Sequence, residues 1–354
     1  MKAHQNKWIT IFAVGLAVLL SGVVQADLRQ GYFTDVKPVP GLDSPYQDRG
    51  PSISADGLTI YFCSGRDGGE GDWDIWMSTR RAVGASWGAP INPGPPINSP
   101  AWEASPHISA DGLRLYFQSW RGGGYGQGDI YVAERASTSV PFVEVHNLGS
   151  GVNSPANEYT PSVSPDELTL YLSRGEGADG FDVYVATRSL TRAPFDSARR
   201  VANVNSSAND KYPSISSDGL TLFLDSHRLP NTGPSGYEEL WVATRSSCCE
   251  HFSTPVNLND FGLGSSVNGP TAVEFAPCIS RDWPANGSKL YFAVGISESD
   301  SDLYEATWVV PCPYYVAGDL NDDCRVDFLD VASFAANWLI DCNTTPEDAA
   351  CVPK

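Results

Sequence analysis

One proline recurs at a near-constant interval through most of this chain: Pro51, Pro106, Pro161, Pro213 and Pro277, separated by 55, 55, 52 and 64 residues. Each opens the same kind of unit. A short apolar run and a turn come first (PSISADG, PHISADG, PSVSPDE, PSISSDG, PCISRDW), then a second run (LTIYF, LRLYF, LTLYL, LTLFL, KLYF). Past a glycine-rich loop comes a third (DIWMSTR, DIYVAER, DVYVATR, ELWVATR, DLYEATW). Runs of β-branched and aromatic residues between turn formers predict strands, and a fixed period predicts a repeat architecture. A fourth short segment opens on Trp87, Phe142, Phe195 and Phe252. A matching piece, Phe33–Val36, precedes the first copy, and none follows the fifth. Four strands in about 55 residues make a propeller blade. The prediction is an all-β, five-bladed β-propeller closed by strand exchange between the termini, spanning residues 27–310.

An acid stands three residues before every one of these prolines: Asp48, Glu103, Glu158, Asp210 and Glu274. Five or six residues earlier sits Asp43, Asn98, Asn153, Asn205 or Asn268. Strand direction alternates within a blade, so the loop leading into the first strand and the loop leaving the second share one rim. That second loop carries Arg66, Arg121, Arg174 and Arg228 in four units and no arginine in the fifth. A feature present in every copy suits joinery, and a planar guanidinium can hold a carboxylate at two points. The sharper reading is a ring of carboxylates holding a cation at the mouth of the channel. Glu274, which lacks its arginine, is the acid to watch as a ligand contact.

Recognition belongs where the copies differ. The variable positions on this rim include Trp73, Trp102, Trp120, Tyr125, Tyr159, Phe181 and Tyr237. Exposed aromatic rings among glycine-rich loops suit stacking on the apolar C–H face of a sugar. Chemistry-bearing motifs are weak by comparison. Gly84–Gly88 matches a nucleophile elbow but opens an outer strand with no helix behind it. His107 falls inside a strand and reads as a packed or channel-lining residue. The Asp-Gly pair at Asp56-Gly57 reads as a tight turn.

The five copies resemble the TolB-type, WD40-like propeller repeat of exported bacterial proteins, over roughly residues 31–308. The resemblance implies fold and is nearly silent on activity, since propellers host binding, scaffolding and catalysis alike.

The N-terminus, MKAHQNKWITIFAVGLAVLLSGVVQA, has basic Lys2 and Lys7, an apolar core from Trp8 and a small-residue site at Val24–Ala26. It reads as a signal peptide, residues 1–26, cleaved after Ala26, which places the mature chain outside the cytoplasm: secreted, periplasmic or at the cell surface. No long apolar stretch follows, so no membrane span is expected after cleavage. Export makes the eight cysteines disulfide candidates. The formal charge of −19 makes nucleic acid and anionic lipid poor partners.

After Pro311 the repeat stops. Asp319, Asn321, Asp323, Asp327 and Asp330 fall at positions 1, 3, 5, 9 and 12 of a loop, with the Arg325 carbonyl at position 7. This spacing folds hard oxygen donors around one calcium ion. With aspartate at position 12 and Val326 at position 8, the loop resembles that of a type I dockerin, and Val331–Leu339 continues it as a helix with one apolar face. The segment departs from that pattern in having Cys324 where glycine is usual, an apolar Phe328-Leu329 pair at the recognition positions, and one calcium loop instead of two. Residues 311–354 are thus expected to form a small dockerin-like calcium module whose partner is a cohesin-like module or another surface component.

Together these features predict an exported binding or scaffold protein that recognises an extracellular polysaccharide or a cell-surface protein. The rival class is a carbohydrate-active enzyme, a glycoside hydrolase or polysaccharide lyase. Five near-equivalent acids do not supply the unlike pair that glycoside hydrolysis requires.

Overall fold

The computed structural model describes residues 31–175, 180–230, 238–297 and 300–311. The signal segment, Tyr237 and the whole calcium loop with its helix lie outside the described residues. Five antiparallel sheets form the blades. Blade 1 contains Asp48–Ile53, Thr59–Ser64 and Asp74–Thr79, with a lone bridge between Met77 and Ile91 where its fourth strand would be. Blade 2 runs Glu103–Ile108, Arg114–Ser119, Asp129–Glu134 and Glu144–Asn147. Blade 3 runs Asn157–Val163, Thr169–Gly175, Phe181–Thr187 and Arg199–Arg200, and blade 4 runs Asp210–Ile215, Thr221–Ser226, Glu239–Thr244 and Val256–Asn257.

Blade 5 takes Val273–Ile279, Lys289–Ser297 and Asp300–Val309 from the end of the repeat region. Its outer strand, Tyr32–Pro38, comes from the beginning, antiparallel and with Phe33 opposite Trp308. The five first strands contact one another in cyclic order, blade 5 against blade 1 included. The ring is closed, and the chain is a five-bladed β-propeller. No helix among the described residues is long and apolar enough to cross a membrane.

The core is divided among the junctions between blades. Leu115, Phe117 and Ile97 lie in the cluster between blades 1 and 2, and Tyr116, Val152 and Leu170 in that between blades 2 and 3. Leu224, Val204 and Trp241 lie in the cluster of blades 3 and 4; Phe33, Phe223, Trp283 and Trp308 close blades 4 and 5; Leu42, Phe62 and Tyr291 close blades 5 and 1. Each blade is a sheet with two apolar faces, so burial demands a neighbour on each side, and a ring supplies both.

The repeated proline is explained by position. The first strand borders the axis and has a sheet partner on one side only, so a residue without an N–H costs no ladder bond there. The residue before it is left-handed in every blade: Gly50, Ser105, Thr160, Tyr212 and Ala276 have φ of 50–61°. Each makes a β-bulge in the first strand. The bulges crowd the prolines toward the axis. The passage lined by Pro51, Pro106, Pro161, Pro213 and Pro277 has a volume of only about 30 Å³, room for about one water molecule.

The residue after the proline ties each blade to the next. The Ser52 hydroxyl accepts from Ile108 N–H at 3.0 Å, Ser162 from Ile215 at 3.1 Å and Ser214 from Ile279 at 3.2 Å. His107 bonds the Val163 backbone and Cys278 accepts from the Ile53 N–H, completing a circle of five. Burial, with the nearby Arg281 guanidinium adding to it, outweighs the bond to the Val163 backbone and pushes the His107 pKa down to about 3, so the ring stays neutral. Its place is in the joint between blades 2 and 3.

The disulfide expectation is corrected for the four cysteines that the structure describes. Cys63, Cys248, Cys249 and Cys278 are free thiols. Cys278 is taken up by the circle just described, and Cys63 is buried with its thiol donating to the Arg49 carbonyl at 3.1 Å. Cys312, Cys324, Cys342 and Cys351 lie outside the described residues.

Candidate functional site

The acids are joinery, and they do not converge on the axis. Side chains alternate along a strand, so the acid opening each first strand turns into its blade while the next residue faces the axis. Asp48, Glu103, Glu158 and Asp210 are fully buried. Arg66 reaches Asp48 at 2.6 Å, Arg121 reaches Glu103 at 3.2 Å, Arg174 reaches Glu158 at 2.8 Å, and Arg228 pairs with Asp210. The same guanidinium groups donate to the carbonyls of Leu42, Ile97, Val152 and Val204, the apolar residues that carry the chain from one blade to the next. The recurring asparagines complete the joint. Asn98 brackets the backbone of Ile75 in the preceding blade at 2.9 and 2.8 Å, and Asn153, Asn205 and Asn268 do the same to Ile130, Val183 and Leu240. Asp43 has no amide to donate; at that junction the Val39 N–H bonds the Leu303 carbonyl instead, at 2.8 Å.

The residues that follow the acids are Arg49, Ala104, Tyr159, Lys211 and Phe275, different in every blade. The first four line a cavity of about 400 Å³ on this rim. Five of the sequence-derived candidates gather around it: Trp73, Trp102, Trp120, Tyr159 and Phe181. Trp102 and Trp120 stack at 5.4 Å with 41° between their planes, and remain 43% and 36% exposed. Tyr159 meets Phe181 edge-on at 5.1 Å. Burial raises the Tyr159 phenol above its usual range despite the hydrogen bond from Gln118, so it is neutral. The rings therefore form a broad aromatic wall, exposed at Trp102 and Trp120. Tyr125 is exposed but stands outside this cavity, and Glu274 is buried away from it.

Residues not singled out from the sequence supply the polar wall. Arg49 lies 4.2 Å over the Trp73 ring. Lys211 pairs with the buried Glu238, and His227 Nε2 is 3.0 Å from the same carboxylate oxygen. Burial alone would raise the Glu238 pKa, but its bonds to His227 and Lys211 outweigh that and hold it below the usual range. Gln118 and Asn209 add amides. No aspartate or glutamate is among the described residues lining the cavity. The signal that could have found Arg49 and Lys211 is strand alternation: they sit one place after a buried, repeated acid.

Glu274 occupies the same buried slot as the other four acids without their cation. Gly269 N–H donates to it at 3.1 Å, and its second oxygen has no hydrogen-bond partner among the described residues. Val294 stands opposite it, where Asp48, Glu103 and Asp210 face a serine.

No protein-family model matches the chain, and no curated protein matches it. Among solved structures it is similar to the α-L-arabinofuranosidase of Podospora anserina in complex with cellotriose, at 13% identity and a TM-score of 0.51, covering 79% of this chain and 96% of that one. It is also similar to the catalytic domain of an α-L-arabinofuranosidase of Coprinopsis cinerea, at 12% identity and a TM-score of 0.50, with 79% and 96% covered. TolB of Acinetobacter baumannii superimposes more loosely, with 14% identity, a TM-score of 0.40, and 75% of this chain and 56% of that one covered. At these identities the likeness is one of fold.

Proposed function

We propose that this chain is an exported binding protein whose propeller takes a polysaccharide in the aromatic cavity and whose dockerin-like tail attaches it through a calcium-dependent contact. The observation that carries the reading is the gathering of Trp73, Trp102, Trp120, Tyr159 and Phe181 around one cavity of about 400 Å³. Its size suits one or two sugar rings, and tryptophan faces left in solvent are costly unless something covers them. Hydrolysis of a glycosidic bond needs two carboxyl groups flanking it. The described wall offers none, which favours binding over cleavage.

Titration of soluble polysaccharides against tryptophan fluorescence tests this. A binding glycan is expected to shift the emission, and Trp102→Ala with Trp120→Ala is expected to weaken it at least tenfold with the melting temperature nearly unchanged. Silence toward a broad glycan panel would end the reading.

The tail is tested separately on the mature chain. Calorimetry is expected to show one calcium ion bound, lost in the Asp319→Ala/Asp330→Ala variant while the propeller melts as before. Equal calcium uptake by that variant would remove the loop from the account.

A further inference from the structure

The polar side chains of the cavity run against the composition of the chain. Acidic residues outnumber basic ones by 42 to 23, yet the described wall contains Arg49, Lys211 and His227 and no carboxylate. In ring order the cations flank the aromatic wall: Arg49 is on blade 1, the tryptophans follow on blades 1 and 2, Tyr159 and Phe181 are on blade 3, and Lys211 and His227 close the row on blade 4. Both ends are held in place. Arg49 lies over Trp73 at 4.2 Å, and the buried Glu238 fixes Lys211 and His227 from behind. Asp72 accepts from Trp102 Nε1 at 3.5 Å and is not part of the lining.

From this arrangement we propose that the saccharide the cavity takes is an acidic one, its rings on the tryptophan faces and its anionic groups toward Arg49 and Lys211. The inference rests on the polysaccharide reading above and specifies it. A concave site amplifies the field of its own charges; Glu238 offsets part of the Lys211 charge from behind, and the Arg49 guanidinium matches the paired oxygens of a carboxylate or a sulfate. The chain as a whole, at −19, repels polyanions, so an acidic glycan needs a local cluster of cations such as this one to settle.

The test compares ligands that differ only in charge, using calorimetry on the full mature chain. In one arm, trigalacturonate is set against its methyl ester; in the other, a sulfated galactose trisaccharide is set against its desulfated parent. The charged member of at least one pair is expected to bind tenfold or more tighter. Arg49→Gln is expected to erase most of that difference, weakening the charged member far more than the neutral one. Tightening in the first arm alone assigns a uronate, and tightening in the second alone a sulfate ester. If the neutral members bind as well as the charged ones, the acidic-saccharide inference falls and the polysaccharide reading stands. If none of the four binds, the acidic-saccharide inference falls, and the polysaccharide reading falls with it only if the broad panel is silent too. The wild-type comparison needs no variant, so a poorly folding Arg49→Gln protein does not blunt it.

Discussion

Replacing Glu103 with alanine is expected to lower the stability of the propeller by roughly 3–5 kcal/mol, the usual cost of removing one partner from a buried ion pair. The carboxylate it removes takes bonds from the Ser99 backbone at 2.7 Å, the Ser99 hydroxyl at 2.7 Å, the Ser119 hydroxyl at 2.6 Å and Arg121 at 3.2 Å. The serine donors lose their acceptor at once, and Arg121, only 20% exposed, keeps its carbonyl partners but loses the counter-charge with little water around it. An exposed tie would be worth about 0–1 kcal/mol; burial changes the scale. Burial also pushes the Glu103 carboxyl above its usual range, against the pull of those serines and of Arg121, so the joint carries a desolvation cost of its own. The double variant Glu103→Leu/Arg121→Met is therefore expected to recover much of the loss. Thermal and urea unfolding check both. A single variant within 1 kcal/mol of wild type would show that the acid is not a structural tie. Weakened glycan binding in a protein of unchanged stability would show instead that it belongs to the site.

Glu274→Gln is expected to do the opposite: to stabilise the protein, by an amount that grows as pH rises from about 4.5 to 7. Burial, with the nearby Glu239 carboxylate adding to it, outweighs the Gly269 N–H and pushes the Glu274 carboxyl up to about 7. An acid raised in the folded state binds its proton more tightly there than in the unfolded chain. Below the unfolded value near 4.5, both states are protonated and nothing is lost. Between there and about 7 the unfolded chain releases the proton first, so stability falls as pH rises, and above 7 the full penalty is present. That penalty is roughly 3 kcal/mol. The glutamine variant is expected to melt several degrees above wild type at pH 8 and to coincide with it at pH 4.5. An equal difference at both pH values would place the effect outside this ionisation.

The fold was readable from the sequence because its information is periodic. Five prolines at nearly equal spacing announce five inner strands, and an unpaired aromatic piece at Phe33 announces the closing strand. Joinery was readable for the same reason, since Arg66, Arg121, Arg174 and Arg228 recur with their acids. The cavity was half readable: its aromatic residues stand out as exceptions to the repeat, but Lys211, His227 and Glu238 come from three separate places in blade 4, and only folding brings them together. Glu274 was noticed for its missing arginine, a sound signal. The position itself is a buried slot, so the missing partner left a desolvated carboxyl and not a ligand contact. The cysteines misled because thiols can replace serine in a hydrogen-bonded circle, as Cys278 does, without any partner sulfur.

The waist at the five prolines gives the rim cavity a floor. Whatever arrives there must depart through the same opening, so a long polymer cannot be reeled through the molecule. A bound glycan therefore comes and goes from one face of the ring, and its release owes nothing to the axis.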